Sequence, residues 1–343
     1  MALDTQHVAL RTFVLSASLV VVFAGIKIAS PIVVPFILAI FIAVICSPII
    51  SFLKQYYVPK AIAILLIMIL IILITIWFGG LVGSSVKAFT LSLPVYQESL
   101  QEDMLPLLNL ASSYNLDLSQ EHLFESFEPQ KVMSLITNLL SELGSLMTNF
   151  FLVLLTVVFI LFEASEFPKK IHRALDDPDM RMQQVDEFLF SVNRYMAIKT
   201  LVSLATGVII GFGLWIIGVE YPVLWGVCAF LLNYIPNIGS MIAAVPAVLL
   251  AFIQMGGMAA LVTTSLYVAT NLVMGSMIEP RFMGRGLGLS TLVVFLSLIF
   301  WGWILGTAGM LLSVPLTMVV KIALEASDQG RGLSVLLSSS EER

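Results

Sequence analysis

Between residues 200 and 320 the chain carries four formal charges, Glu220, Glu279, Arg281 and Arg285. That stretch limits the fold more than any other feature. A soluble domain is about 25% charged, whereas this chain is 11% charged and 59% hydrophobic. In a bilayer no water satisfies backbone N–H and C=O groups, so the backbone must close on itself as helices or a barrel. The apolar runs approach the roughly 20 residues of a spanning helix, not the shorter alternating segments of a barrel. The expectation is an all-α, polytopic integral membrane protein.

Five runs read directly as spans: 8–30, 32–53, 61–85, 146–164 and 200–219. Beyond them, turn residues divide the sequence into 221–235, 239–255, 258–279, 289–304 and 306–321. Several of these are short for a full crossing, which predicts about eight transmembrane segments with re-entrant helical hairpins among them. The first run exceeds the roughly 7–15 residues of a signal-peptide core, and a second follows at once, so a retained hairpin is expected. The domains are then N-terminal transmembrane helices (1–85), a helical insertion (86–145), a further span (146–164), an amphipathic connector (165–199), a C-terminal transmembrane core (200–321) and a tail (322–343).

Lysine and arginine near span ends set orientation. Lys54 and Lys60 lie in one loop, Arg281 and Arg285 in another, and the connector carries Lys169, Lys170, Arg173, Arg181, Arg194 and Lys199. The insertion instead has Lys87 and Lys131 against eight acids from Glu98 to Glu142. All agree if both termini are cytoplasmic and the insertion is outside. The insertion is expected to form short amphipathic helices broken near Pro94, Pro106 and Pro129, a cap or oligomer contact rather than a catalytic domain. In the connector, Val185, Phe188, Leu189, Val192, Tyr195 and Met196 share one helix face, suited to the membrane surface or to neighbouring helices.

The chemistry is marked by what is missing. No phosphate loop, dinucleotide fingerprint, HExxH or catalytic triad spacing occurs. Enzyme activity, a cofactor and ATP-driven transport by this chain alone are therefore not expected. The net charge of −5 argues against nucleic acid as a partner. His7, His122 and His172 all lie outside the apolar runs, which excludes a histidine metal site within the membrane. Cys46 and Cys228 sit in apolar runs and read as buried free thiols. Gly79/Gly83, Gly207/Gly211 and Gly302/Gly306 read as close helix packing.

No acid occurs between Asp4 and Glu98, so the first three spans lack the carboxylate that an ion-coupled transporter usually needs. Neutral hydrogen-bonding groups gather instead in "NYIPNIGS", where Asn233, Tyr234, Asn237 and Ser240 surround Pro236 and Gly239. Proline frees a carbonyl in the preceding turn. Irregular backbone at membrane depth is tolerated where it is buried in protein or lines a watery cavity. Two readings fit: a tight cytoplasmic turn between spans, or the tip of a re-entrant hairpin lining a substrate path, with Asn271 a further polar candidate. A second short pair, 289–304 and 306–321, turns at "WGWILGTAG". Two hairpins entering from opposite sides would form an inverted repeat with its site at the tips. In "EPRFMGRGLGLS", Glu279, Arg281 and Arg285 either gate a cytoplasmic opening as ion-paired groups or anchor topology at the headgroups.

"NYIPNIGS" followed by "EPRFMGRGLGLSTLVVFLSLIFWGWILGTAGMLLSVPL" resembles the signature of the autoinducer-2 exporter family of bacterial membrane proteins, over almost the whole chain. Many members have proline where this chain has Thr291 and lack the Trp301–Trp303 pair, so roles in distant antiporter-like relatives are not carried over. The resemblance implies a homo-oligomer, a pentamer, in the bacterial inner membrane. It implies export of autoinducer-2, a small neutral polyol signal in quorum sensing. Sodium (or lithium)/proton exchange, known for some members, is the alternative, with Glu279 or Glu220 carrying the coupling. A membrane scaffold or signalling component is the third.

Overall fold

The computed structural model describes residues 2–113, 138, 141, 150–164, 178–236, 238–283, 289–325 and 331–338. Among these residues all regular structure is helical. The elements are α1 (Ala2–Ile28), α2 (Ser30–Gln55), α3 (Lys60–Ser113), α4 (Phe150–Glu163), α5 (Pro178–Ile217), α6 (Pro222–Leu232), α7 (Gly239–Met255), α8 (Gly257–Asn271), a π-helical stretch (Leu272–Ile278), α9 (Glu279–Met283), α10 (Thr291–Leu311), α11 (Ser313–Glu325) and α12 (Arg331–Leu337). Among the described residues, five helices are long and apolar enough to cross a membrane: Ser30–Gln55, Lys60–Ser92, Leu189–Ile217, Gly257–Phe282 and Thr291–Leu311. Shorter apolar helices cover Ala17–Ile28, Phe150–Glu163, Pro222–Leu232 and Gly239–Met255. The chain is a polytopic membrane protein, and its exposed leucines, valines and phenylalanines are the lipid-facing surface that such a protein requires.

Two expectations need correction. The helix that begins at Lys60 does not break at Pro94 or Pro106 but runs unbroken to Ser113. A proline deletes one intrahelical bond and leaves the turns on either side able to continue. The chain tolerates the same defect at Pro35 and Pro48 in α2 and Pro246 in α7. Pro129 lies outside the described residues. From Pro178 onward the connector and the fifth span are likewise one element, α5. Of the connector's apolar face, Val192, Tyr195 and Met196 are buried in protein, while the side chains of Val185 and Phe188 lie outside the description.

The chain forms two compact units. The first comprises Met1–Leu65, Phe150–Tyr195 and Arg285–Arg343. Here α2 packs on α4 through Ala39, Ala43 and Cys46 on one side and Val153, Val157 and Leu161 on the other, all buried. The Lys60 ammonium donates to the Phe162 carbonyl at 2.6 Å, closing the end of α4. Phe23 meets Phe300 edge-on at 5.0 Å and Lys27 stands 4.1 Å over the Trp303 ring, which fixes α1 against α10.

That α10 is not one straight rod. Gly306 has φ 66° and ψ −149°, where the chain folds back. In a straight helix Trp301 and Thr317 would stand about 24 Å apart, yet the Trp301 indole donates to the Thr317 hydroxyl at 3.0 Å. A Cβ on Gly309 would collide with the Trp301 carbonyl. The arms therefore lie side by side, and the longest straight run here is 291–305 rather than all of α10. The expected turn in "WGWILGTAG" is present.

The second unit comprises Leu66–Asn149 and Met196–Gly284. α6 and α7 make a hairpin through residues 233–238, and Gly239 comes so close to the Leu232 carbonyl that no side chain fits. Gly256, at φ 82°, reverses the chain again into α8. α5 and α6 meet through Gly207 and Gly226, where a Cβ on either would lie within 2.8 Å of the other's carbonyl. Gly207 is thus a packing glycine as expected, whereas a Cβ on Gly83 would meet nothing.

Candidate functional site

Several polar side chains of the second unit meet at the α6–α7 tip. α6 ends at Leu232 because Pro236 supplies no N–H and asparagine favours turns. Asn233 is buried, and its Nδ2 donates to Ser203 Oγ of α5 at 3.0 Å. The half-buried Tyr234 donates its hydroxyl to Thr200 Oγ1 of α5 at 2.7 Å. On the other side of the turn, Ser240 donates to Asn271 Oδ1 of α8 at 2.9 Å. The tip is thus bonded to α5 by one arm and to α8 by the other.

Of the residues singled out from sequence, Asn233, Tyr234, Ser240 and Asn271 are brought together in this way. Pro236 is half-buried in the turn, and its carbonyl accepts from Ile238 N at 2.7 Å. Gly239 provides the close approach described above. Asn237 and Arg285 lie outside the described residues. Glu279 pairs not with Arg281, which is exposed, but with Lys199, Nζ to Oε1 2.7 Å, with side chains 4% and 17% exposed.

Sequence reading passed over Thr200 and Ser203 as partners of the tip, and Lys199 as the partner of Glu279. The signal was spacing: Lys199, Ser203 and Thr206 fall at i, i+4 and i+7 on an apolar helix, and all three are buried, marking a polar stripe turned inward. α8 carries a similar stripe in Thr263, Tyr267, Thr270 and Asn271.

The arrangement is chemically neutral except at Lys199–Glu279. An amide has two donors and two acceptor lone pairs, and the Asn233–Ser203 bond uses one donor. Asn271 instead accepts at Oδ1, and its bond from Ser240 uses neither amide hydrogen. Such groups suit a ligand rich in hydroxyls. Among the described residues, no group of three or more His, Cys, Asp or Glu side chains could hold a metal ion.

Two other features of this unit are of different character. A groove of about 450 Å³ lies between α3, α5 and α6, walled by Trp77, Phe78, Trp215 and Phe230 and floored by Gly207 and Gly226. Its walls offer no array of hydrogen-bonding groups for a polyol. Further along, the Tyr96 hydroxyl donates to the Glu220 carboxylate, Ser92 and Tyr221 share a hydrogen bond of 3.2 Å, and Gln254 Oε1 accepts from Glu220 N at 3.1 Å. Burial, and then the bond to Glu220, raise the Tyr96 phenol above its ordinary pKa. This cluster joins α3 to the loop between α5 and α6.

Residues 17–329 match the family described as AI-2E family transporter. The chain belongs to that family. Among relatives of this AI-2E transporter, the AI-2 transport protein TqsA of Escherichia coli (strain K12) is 42% identical over 329 residues, covering 96% of each chain. A Haemophilus influenzae protein is 42% identical over 338 residues, covering 97% of each. YhhT of Escherichia coli (strain K12) is 38% identical over 321 residues, 94% of this chain and 92% of that one. The last two bear names that assign them to transport without a substrate. Family membership makes the protein a transporter and not an enzyme.

Proposed function

We propose that this transporter exports autoinducer-2, a small neutral polyol, across the bacterial inner membrane without ATP hydrolysis by the chain. The observation that carries the reading is the neutral tip: Asn233, Tyr234 and Ser240 hydrogen-bond to two different helices. A polyol needs several hydrogen-bond partners and little fixed charge, and a solute can exchange with side-chain bonds of this kind. Similarity to a protein named for AI-2 transport supports the same substrate. The loop charges support cytoplasmic termini, with 86–145 outside. The family resemblance supports a homo-oligomer.

Reconstitution of the full chain into proteoliposomes tests this reading. Autoinducer-2 flux independent of sodium and proton gradients is the expected result, and Asn233→Ala and Asn237→Ala should each lower it while assembly is retained. No flux in the unaltered protein overturns the reading.

One observation favours a second reading, cation/proton antiport. Glu279 is a largely buried carboxylate held by Lys199, and such a pair can exchange a proton for a cation if the lysine releases it. Proton flux abolished by Glu279→Gln, with no autoinducer-2 flux, would establish antiport instead.

A further inference from the structure

The buried face of α8 holds two hydroxyls that folding does not use. Thr263 is fully buried and Tyr267 nearly so, yet among the described residues neither Thr263 Oγ1 nor the Tyr267 hydroxyl has a hydrogen-bond partner. Threonines in these helices commonly satisfy themselves by donating to a carbonyl four residues back, as Thr75, Thr206 and Thr264 do. Thr263 does not. A buried hydroxyl without a partner is destabilising, whereas an apolar group of the same shape is nearly neutral or stabilising. Stability alone would therefore favour valine and phenylalanine at these positions.

The placement of the two hydroxyls is regular. Residues 263 and 267 are one helical turn apart, and Asn271 stands a further turn along the same face. Asn271 is bonded to Ser240 at the α6–α7 tip. The polar face of α8 thus leads from the tip into the interior of the unit, with successive hydrogen-bonding groups about 6 Å apart. That interval suits a small solute that carries hydroxyls on several carbons, which can hold one residue while reaching for the next.

We propose that Thr263 and Tyr267 are solute-contacting residues, which with Asn271 form a hydroxyl-lined track along α8 for a small neutral polyol. The inference rests on the polyol-transport reading and adds to it the residues that set specificity. Each hydroxyl can both donate to and accept from a solute hydroxyl. A site built to bond a hydroxyl discriminates against an analogue lacking it, since its own polar group is then left unpaired.

The test uses Tyr267→Phe, Thr263→Val and the double variant in the full chain. Autoinducer-2 flux in proteoliposomes and thermal melting in detergent are measured on each. Expected are a rise in the half-saturating autoinducer-2 concentration of about fivefold per hydroxyl removed, melting unchanged or raised, and weaker discrimination against a deoxy analogue in Tyr267→Phe. Unaltered protein that carries autoinducer-2, with variants that match it, overturns this inference and leaves the transport reading standing. Variants that lose flux only in proportion to a lowered melting temperature also overturn it, because the hydroxyls are then structural. Unaltered protein that carries no autoinducer-2 removes both.

Discussion

The two short hairpins of this protein reverse the chain by different means. The α6–α7 tip is a polar turn whose side chains bond outward, to Ser203 and Thr200 on α5 and to Asn271 on α8. The second reversal lies within α10 at Gly306, and among the described residues its arms are joined by the Trp301 to Thr317 side-chain bond, which stays inside the hairpin. A turn closed by its own arms is a self-sufficient packing element. A turn that depends on neighbouring helices couples them, so that displacing its hydrogen bonds affects all three. On the function proposed above, this difference favours the first tip as the place where a solute acts.

The largest expected effects probe how each turn is closed. Gly239→Ala and Gly309→Ala would each drive a methyl into a backbone carbonyl, and both should cost more than about 3 kcal/mol, read as loss of folded protein in fluorescence-detected size exclusion. Gly306→Ala meets no neighbour but places a side chain at φ 66° and ψ −149°, backbone that is essentially confined to glycine, at a cost of about 1–3 kcal/mol. If Gly306→Ala leaves thermal melting unchanged, the second turn is not set by local conformation and the contrast fails.

Next in size is the buried pair. Lys199→Met strands the Glu279 carboxylate and should cost about 3 kcal/mol, the lower end for a broken buried pair, because Glu279 keeps 17% of its side-chain surface exposed. The double change Lys199→Met, Glu279→Met should recover most of that loss in thermal melting. A double variant no more stable than the single one would show that the two residues act independently.

Asn233→Ala should cost about 1–2 kcal/mol, because Ser203 loses its buried donor, and it should lower solute flux as well. Smallest is Trp301→Phe, which removes one hydrogen bond within the second hairpin. A loss of about 1 kcal/mol with unchanged flux would sharpen the contrast, whereas a flux defect would place both turns on the transport path.

The local features were legible in the sequence. Apolar runs gave the long helices, "WGWILGTAG" marked one reversal, and Pro236 with its asparagines marked the other, whereas Gly306, read as a packing glycine, makes the turn and meets no neighbour. What the sequence concealed was non-local or cumulative. Lys199 and Glu279 are separated by 80 positions, and each lies at the end of an apolar run, where it reads as a headgroup anchor. Thr263 and Tyr267 are single polar residues within a span and attract no notice until their shared face is drawn. Pro94 and Pro106 looked like helix ends because proline breaks isolated helices, yet one lost bond does not end a helix as long as α3.

The π-helical stretch Leu272–Ile278 stands between Asn271 and Glu279. A π turn accommodates one residue more than an α turn. A Cβ on Gly275 would stand 3.1 Å from the Asn271 side-chain oxygen, so a side chain in this widened turn would crowd Asn271. Rewinding it to α geometry with all seven residues kept would rotate everything beyond by about 100° and swing the Glu279 carboxylate off Lys199. The transporter thus carries one residue of rotary slack in its fourth long apolar helix, and a single ion pair sets where that slack comes to rest.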